Sequence, residues 1–157
     1  MRDPIPTTEF ITGLLKACRL AVLATEGNGQ PHASLIAITP VRGFRQIIFA
    51  TYRNTRKFEN LEINGRVAIL IQGEDKDSSG QNKVFALTAF GDAVEVGITE
   101  QEEALHDHME RHPDLANLLQ SPDFALFRIN VEAYQIVRGI DDVVWLNVED
   151  ASTSLHI

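Results

Sequence analysis

The sequence predicts a mainly β protein: a small antiparallel β-barrel of six to seven strands with peripheral helices. Short apolar runs of strand length recur along the chain, and turn residues separate them. Gly91 interrupts a long strand-like run, as glycines at bulges and barrel corners do. With 157 residues, 44% of them hydrophobic, the chain suffices for one substantial core but not for two ordinary domains. We therefore expect a single domain over residues 1–148, followed by a C-terminal tail over residues 149–157.

The first third of the chain predicts one helix and three strands. An apolar face at helical spacing predicts a short helix from Pro6 to about Cys18. Residues 20–25 form an apolar run that ends on Thr25, as in a buried strand, and Glu26-Gly-Asn-Gly29 is a strong hairpin signal. Residues 32–39 then form the returning strand, and residues 46–51 the third strand, after a loop.

The rest of the chain predicts strands and three further helical segments. A short helix follows the third strand, and strands are expected at residues 66–72, 84–96, 123–137 and 143–148. Residues 73–82, rich in Asp, Ser, Gly and Lys, indicate a mobile loop. Thr99 and Glu102 match a capping box, which predicts a helix from Thr99 to about His112. A further helical turn is expected at residues 114–119.

The junction between the third strand and its helix, residues 49–57, combines hydroxyl groups with cations. Asn54 or Thr55 is a plausible N-cap, which places Arg56 and Lys57 in the first helical turn. The positive end of the helix dipole lies there, so two cations are unfavourable unless an anion joins them. Backbone N–H groups, hydroxyls and both cations could converge on one phosphoryl group. The alternative is a helix whose first-turn cations simply extend into water.

The charge distribution favours the anion site over this alternative. The chain carries a formal net charge of −8, yet residues 42–66 contain six of its fourteen lysines and arginines against two glutamates. A local positive region in an acidic protein indicates a small anionic ligand, because nucleic acid usually requires a broad basic face. The six cations are Arg42, Arg45, Arg53, Arg56, Lys57 and Arg66.

Composition also narrows the class of protein. No apolar run approaches the roughly 20 residues that span a bilayer, so a cytoplasmic location without membrane association is the default expectation. No Ser-His-Asp set, paired carboxylates or glycine-rich phosphate loop supports hydrolase or nucleoside triphosphate chemistry. His106, His108 and His112 lie on one predicted helix, where a solvated charged helix is favoured over a metal site. We expect no metal ion.

Several segments, taken together, resemble the FMN-binding split-barrel family, the pyridoxamine 5′-phosphate oxidase-like proteins. Pro31-His-Ala-Ser-Leu-Ile36 is similar to the family strand that runs past the isoalloxazine ring. Phe49-Ala-Thr51 with Thr55-Arg-Lys57 resembles the segment that holds the ribityl phosphate. Asn64-Gly-Arg-Val67 resembles the family's Asn-Pro-Arg-Val run. The resemblance covers nearly the whole chain and implies the antiparallel split-barrel fold.

The resemblance further implies FMN as cofactor, bound at the interface of a homodimer, and an oxidoreductase acting on a small-molecule substrate. Residues around 86–90, or Trp145, would be donated by the partner subunit. His32 could act as an acid or base near the flavin, although a packing or hydrogen-bonding histidine is favoured. The implied cofactor-binding residues are His32, Ala33, Ser34, Leu35, Ala50, Thr51, Thr55, Arg56 and Lys57.

Departures from the family pattern limit the implied activity. True pyridoxamine 5′-phosphate oxidases end in an Arg-Leu-His-Asp-Arg type segment, whereas this chain has Val144-Trp-Leu-Asn-Val148, so that oxidase activity is not expected. Two segments, Arg111-His-Pro-Asp114 and Asp123-Phe-Ala-Leu-Phe-Arg128, resemble the haem-utilisation branch of the family. That branch usually has Gly-Gly-Phe where this chain has Arg138-Gly-Ile140, and the additional C-terminal domain of its full-length members is not expected here. Haem handling, flavin binding without turnover and a related deazaflavin therefore remain alternatives.

Overall fold

An antiparallel eight-stranded sheet with helices at its margins forms the protein, which confirms the predicted fold class. The computed structural model describes residues 8–76, 79–80, 82–139 and 142–150. The strands are β1 (Leu20–Gly27), β2 (Gln30–Ala37), β3 (Thr39–Val41), β4 (Gln46–Tyr52), β5 (Arg66–Lys76), β6 (Asn82–Glu95), β7 (Phe124–Gly139) and β8 (Asp142–Asn147). The helices are α1 (Thr8–Ala17), α2 (Arg56–Ile63), α3 (Ile98–Arg111) and α4 (Ala116–Leu119), with a 3-10 turn at Pro113–Leu115.

The strand order leaves a split between β2 and β4. Neighbouring strands follow the order β2-β1-β5-β6-β7-β4-β3, and β8 pairs with the remaining part of β7. β2 and β4 approach each other, but within the described ranges no hydrogen-bonded ladder joins them. The barrel is thus open along one seam, and β4 delivers the chain from that seam into α2.

Alternation along the strands separates a buried inner face from an exposed outer face. In β1, Ala21 and Leu23 are buried, whereas Leu20 and Val22 on the opposite face are exposed. The register between β6 and β7 shifts at Phe90/Gly91, which confirms the predicted irregularity at Gly91. A Cβ atom on Gly91 would lie 2.1 Å from the Asn130 carbonyl oxygen, so only glycine permits this approach of the two strands.

Two local predictions are wrong. The predicted loop at residues 73–82 is shorter, because β5 continues to Lys76 and Gly73 pairs with Phe85 of β6. Polar side chains do not prevent strand pairing, and Gly73 leaves room for the Phe85 ring, which would lie 2.4 Å from a Cβ atom added at Gly73. The capping box is also wrong, since α3 is capped by Gly97, without a side-chain hydrogen bond, and Thr99 falls inside its first turn.

Some predictions lie outside the described residues: the helix start at Pro6, the middle of the loop at residues 77–78 and 81, and the tail from residue 151. No helix in the described ranges is long and apolar enough to cross a membrane.

Candidate functional site

A cleft of about 180 Å³ opens at the split between β2 and β4. β2, β4, the start of α2 and the segment after α3 each supply part of its wall. Its lining residues are Leu35, Ile36, Ala37, Ala50, Thr51, Tyr52, Thr55, Lys57, Leu115 and Leu118. The cleft thus brings together five of the nine residues predicted to bind the cofactor: Leu35, Ala50, Thr51, Thr55 and Lys57.

Two threonine hydroxyls stand at the polar end of the cleft. Thr51 Oγ1 and Thr55 Oγ1 are 3.0 Å apart, and Thr55 caps α2 by accepting a hydrogen bond from the Phe58 N–H at 3.3 Å. The prediction that Asn54 or Thr55 caps this helix therefore holds for Thr55. Both hydroxyls also lie within 3.2 Å of the Tyr52 carbonyl oxygen. The Thr55 hydroxyl can donate to the Tyr52 carbonyl oxygen in place of the Thr51 hydroxyl. The Thr51 proton can therefore turn toward a ligand while the Tyr52 carbonyl keeps a donor.

Lys57 supplies the charge of the cleft. Its side chain is half-buried, and burial lowers the pKa of its ammonium group. Within the described ranges it has no carboxylate partner, and the backbone N–H groups of Arg56 and Lys57 carry no hydrogen bond. A half-buried cation in a cleft with two hydroxyls, at the start of a helix, is a set of donors suited to an anionic group.

Arg56 lies outside the cleft lining. Its side chain is 64% exposed, and its Nε lies 3.8 Å from Glu59 Oε2, one turn further along α2. Other cations of the positive region are engaged: Arg53 makes two hydrogen bonds to Glu95, and Arg66 bonds Glu132 through both Nη atoms. Arg53 and Arg66 are therefore paired within the protein, and Lys57 is the cation that lines the cleft.

His32, Ala33 and Ser34 lie further along β2 than the cleft. His32 and Ser34 share the strand face of buried Ile36, whereas Ala33 is exposed on the other face with Leu35. His32 Nδ1 and Ser34 Oγ are buried and have no hydrogen-bond partner within the described part of the chain. Unsatisfied buried polar atoms are uncommon, and these two lie on the inner face of β2, beyond the residues that line the cleft.

The apolar wall of the cleft was not predicted. Leu115 and Leu118, which follow α3, line the cleft opposite β2 and β4. Tyr52, the last residue of β4, also lines it. The signal for the leucines was present, since two apolar residues three positions apart on a helical turn share one face. Their partner strands are distant in sequence, so only the fold reveals that this face closes the cleft.

Of the histidines of α3, His106 follows the interpretation of a solvated helix, whereas His108 and His112 follow neither of the two interpretations weighed from the sequence. His106 is exposed and lies 3.5 Å from Glu110, but His108 and His112 are fully buried. His108 Nδ1 lies 2.7 Å from Thr39 Oγ1, and His112 Nε2 donates to the Ile38 carbonyl oxygen at 2.6 Å. The described residues contain no group of three or more side chains able to hold a metal ion. This part of α3 is a buried docking contact.

The outer face of the sheet beside the cleft is apolar and exposed. Val22 of β1 lies opposite Leu35 of β2 and Leu70 of β5, and all three side chains are exposed. Toward the other edge, the Phe90 ring stacks on Trp145 with ring centroids 5.4 Å apart. Exposed apolar side chains grouped on one sheet face are unusual for a surface that only meets water.

Comparisons with known proteins identify a family and a fold. A model of the pyridoxamine 5′-phosphate oxidase family matches residues 7–138. No curated protein matches the sequence. Solved structures resemble the fold closely, although at sequence identities below one quarter.

Three of these structures illustrate the range. A haem-binding protein from Mycobacterium smegmatis superimposes with a TM-score of 0.81 at 18% identity, covering 98% of this chain, which spans 62% of that protein. General Stress Protein 26 from Bacillus anthracis gives a TM-score of 0.66 at 20% identity, covering 90% of this chain and 98% of the other. A FAD-binding protein from Mesorhizobium loti gives 0.64 at 18% identity, covering 80% of this chain and 87% of the other.

Proposed function

Because the chain belongs to the pyridoxamine 5′-phosphate oxidase family, we propose that it binds FMN in the cleft and serves as an FMN-dependent oxidoreductase for a small-molecule substrate. The observation that carries this proposal is the half-buried Lys57 ammonium, which has no carboxylate partner in the described ranges and lies in a cleft with two hydroxyls. A family member that binds a flavin phosphate needs such a group, and this chain has it. When bound, the flavin would supply the electron-transfer chemistry, whereas the protein binds and orients it.

The residues of the cleft divide naturally between the two ends of the cofactor. The phosphate would be held by Lys57, the first N–H groups of α2 and the Thr51 and Thr55 hydroxyls. The apolar walls, Leu35 on β2 and Leu115 with Leu118 opposite, suit a flat aromatic ring. His32 Nδ1 and Ser34 Oγ, buried without partners among the described residues, would offer polar contacts along β2.

A second copy of the chain would complete the site. Binding sites for small molecules enclose about 300–1,000 Å³, whereas this cleft measures about 180 Å³. The exposed apolar face formed by Val22, Leu35 and Leu70 begins at the cleft margin, since Leu35 belongs to both surfaces. A homodimer through this face would bury the apolar surface and add a second wall to the cleft.

Haem binding is the second candidate, suggested by the haem-binding protein from Mycobacterium smegmatis that matches 98% of this chain. The histidines give it less support. His108 and His112 are buried and bonded to Thr39 and Ile38, so neither is presented to an iron atom. Among described histidines, His32 and His106 remain as ligands, and His156 lies outside the described residues.

Titration of the purified protein with FMN, riboflavin and haem tests the proposal. Absorption and fluorescence should show FMN binding at one molecule per subunit, with riboflavin at least tenfold weaker because it lacks the phosphate. Equal affinities for FMN and riboflavin would remove the phosphate assignment. A haem Soret band without FMN uptake would replace the proposed function with the second candidate, and the variants His32→Ala and His106→Ala would then locate the iron ligand.

The dimer has its own test, with a matched pair of variants. Leu35 and Ile63 are both 64% exposed, but only Leu35 lies on the apolar sheet face. Leu35→Glu should convert a dimer to a monomer in analytical ultracentrifugation and weaken FMN binding, because a buried unpaired carboxylate opposes association. Ile63→Glu on α2 should do neither. A wild-type monomer, or equal behaviour of the two variants, would contradict the proposed interface.

A further inference from the structure

The end of α3 is hydrogen-bonded to two other segments of the chain, the end of α1 and the connection between β2 and β3. The Arg111 guanidinium donates from Nε to the Ile38 carbonyl oxygen at 3.0 Å, and from Nη2 to the Leu15, Lys16 and Cys18 carbonyl oxygens at 2.9–3.1 Å. These last three carbonyls end α1 and have no partner within that helix. Arg111 therefore ties the end of α1 to the connection between β2 and β3.

The two buried histidines complete this junction. His112 donates to the same Ile38 carbonyl oxygen as Arg111, and His108 bonds the buried hydroxyl of Thr39. The two imidazole rings are tilted against each other with centroids 4.8 Å apart. His108 Nε2 is buried and has no hydrogen-bond partner in the described ranges. Neutral His108 tolerates this arrangement, because one of its ring nitrogens needs no proton.

The junction lies between two walls of the cleft. Ile38 directly follows Ala37, the last cleft residue of β2, and His112 directly precedes the turn that carries Leu115 and Leu118. The Leu115 N–H donates to the His112 carbonyl oxygen at 3.0 Å, so the leucine wall is attached to the histidine itself. A change in the docking of α3 on Ile38 and Thr39 therefore moves one cleft wall relative to the other.

We propose that the His108–His112 pair is an acid-sensitive latch, which holds the leucine wall against β2 when both imidazoles are neutral and releases it when His108 is protonated. This inference rests on the proposed function, because it assigns a means of regulating flavin binding to the same cleft. The latched state binds the cofactor, and the released state lacks the wall formed by Leu115 and Leu118.

The chemistry of the imidazolium cation explains the release. Protonated His108 has two N–H donors, but the only acceptor offered to it among the described residues is the Thr39 hydroxyl. Arg111 lies beside the pair and its positive charge repels a second cation. The other charged or titratable groups near the junction are Arg19, the Cys18 thiol and Asp114, and of these only Asp114 would favour a protonated His112. Burial lowers the pKa of His108 to about 4, whereas a released imidazole titrates near 6.5.

The sign of the pH effect follows from linkage. The released state takes up a proton more readily than the latched state, so the latch is fully effective above about pH 6.5 and weakens as the pH falls toward about 4. Between about pH 7.5 and pH 5.5, the equilibrium for release should rise about tenfold through His108 alone. This range stays above the isoelectric point of about 5.0, where solubility is lowest.

Hydrogen exchange on the wild-type chain without flavin tests the latch directly. The N–H groups of Leu115, Gln120 and Ser121 are hydrogen-bonded within the short helical turns that carry the leucine wall. Such short turns are unstable without packing, so they should open on release and their N–H groups should report it. Their protection, corrected for intrinsic exchange, should fall about tenfold from pH 7.5 to 5.5, while that of the β5–β6 ladder stays unchanged. His108→Gln, which cannot be protonated, should abolish this fall, and His106→Gln, on the exposed side of the same helix, should preserve it. An equal pH effect in the two variants would overturn the proposal.

NMR titration of the wild-type imidazoles keeps the test decisive if His108→Gln fails to fold. His108 should resist protonation until the protection of Leu115 is lost. Titration of His108 near 6.5 without loss of protection would refute the latch. FMN affinity at the same two pH values separates the two proposals: no FMN binding at pH 7.5 refutes the proposed function, whereas binding with unchanged acid sensitivity in His108→Gln refutes the latch.

Discussion

Two pairs of cations in one short region behave differently. Arg53 and Arg66 point to carboxylates and are held by two hydrogen bonds each, to Glu95 and Glu132 respectively, and Arg66 also lies 3.0 Å from Asp92. Arg56 and Lys57, in the first turn of α2, have at most one distant carboxylate among the described residues, Glu59. The first pair is already neutralised by the protein. The second pair retains its capacity to bind an external anion.

The two pairs show that a high local density of positive charge does not by itself define an anion site. What matters is which cation lacks an internal partner and is shielded from water, because an exposed charge interacts weakly with its neighbours. By this criterion the second pair also divides. Lys57 is half-buried in the cleft, whereas Arg56 is mostly exposed and lies outside it.

Among substitutions of these cations, replacing Lys57 should have the largest effect on FMN affinity. Lys57→Met removes the cation that lines the cleft, so FMN affinity should fall by about 1.5–3 kcal/mol, roughly 10- to 150-fold, the usual value of a hydrogen bond to a charged group. Riboflavin affinity should stay nearly constant, because riboflavin has no phosphate. Isothermal titration with both ligands measures the two effects.

Arg66→Met is the matched control for this variant. It also removes one positive charge from the region, but from a cation held by Glu132 and Asp92. FMN affinity should be unchanged, and the stability of the fold should change little, because exposed ion pairs contribute weakly. If both variants lost FMN equally, general attraction by the positive region would explain binding better than a specific site.

Alkaline pH should reproduce part of the Lys57→Met effect in the wild-type protein. Burial lowers the pKa of Lys57, so the free protein loses its ammonium charge at a lower pH than an exposed lysine would. The phosphate favours the charged form, so FMN binding must take up a proton above that pKa and affinity falls as the pH rises. The loss is bounded by that of Lys57→Met. Lys57→Arg, which stays charged, should bind FMN with no such decline, and a shared decline would assign it to the flavin.

The cap of α2 should have a smaller effect, mainly on stability. Thr55→Ala removes the acceptor of the Phe58 N–H and the partner of the Thr51 hydroxyl. Loss of an N-cap costs about 1 kcal/mol, which corresponds to a fall of about 2–4 °C in the melting temperature of a chain of this size. Thermal unfolding without flavin measures it, and Thr55→Ser, which keeps the hydroxyl, should restore most of the loss. An unaffected Thr55→Ala protein would mean that the cap contributes nothing to folding.

The contrast between the cations explains what the sequence could and could not predict. The cap at Thr55 and the position of Lys57 depend on neighbours within four residues, so local rules identified them. The engagement of Arg53 by Glu95 and of Arg66 by Glu132 joins residues 42 and 66 positions apart, and it depends on the strand register. The hairpin at Asn28 and Gly29, where positive φ angles favour these residue types, was likewise local. Gly91 was visible as a break in the strand pattern, although the group that requires it, the Asn130 carbonyl, belongs to another strand.

The same distinction applies to α3. Ala104, His108 and His112 recur at four-residue spacing, so the sequence did contain a sign that the histidines share the apolar side of the helix. Three charged residues among them, Asp107, Glu110 and Arg111, favoured the interpretation of a solvated helix. Only the fold shows that Arg111 belongs to the buried side, because its acceptors are the carbonyl groups of α1 and the β2–β3 connection.

Replacing Arg56 should have the smallest effect on FMN affinity. The variant tests whether burial and the lack of an internal partner decide which cation binds the phosphate. Its exposed side chain should contribute about 0.5 kcal/mol or less to FMN affinity, so Arg56→Ala should bind about twofold more weakly, and added salt should remove the difference. The Lys57→Met effect should persist in salt, since a desolvated charge is screened less. Glu59→Gln frees Arg56 without moving it and should leave affinity unchanged or slightly higher. A tenfold loss of FMN affinity in Arg56→Ala would instead mean that the guanidinium turns into the cleft when FMN binds. In that case, the internal carboxylate partners of a cation in the free protein do not decide whether it holds the phosphate.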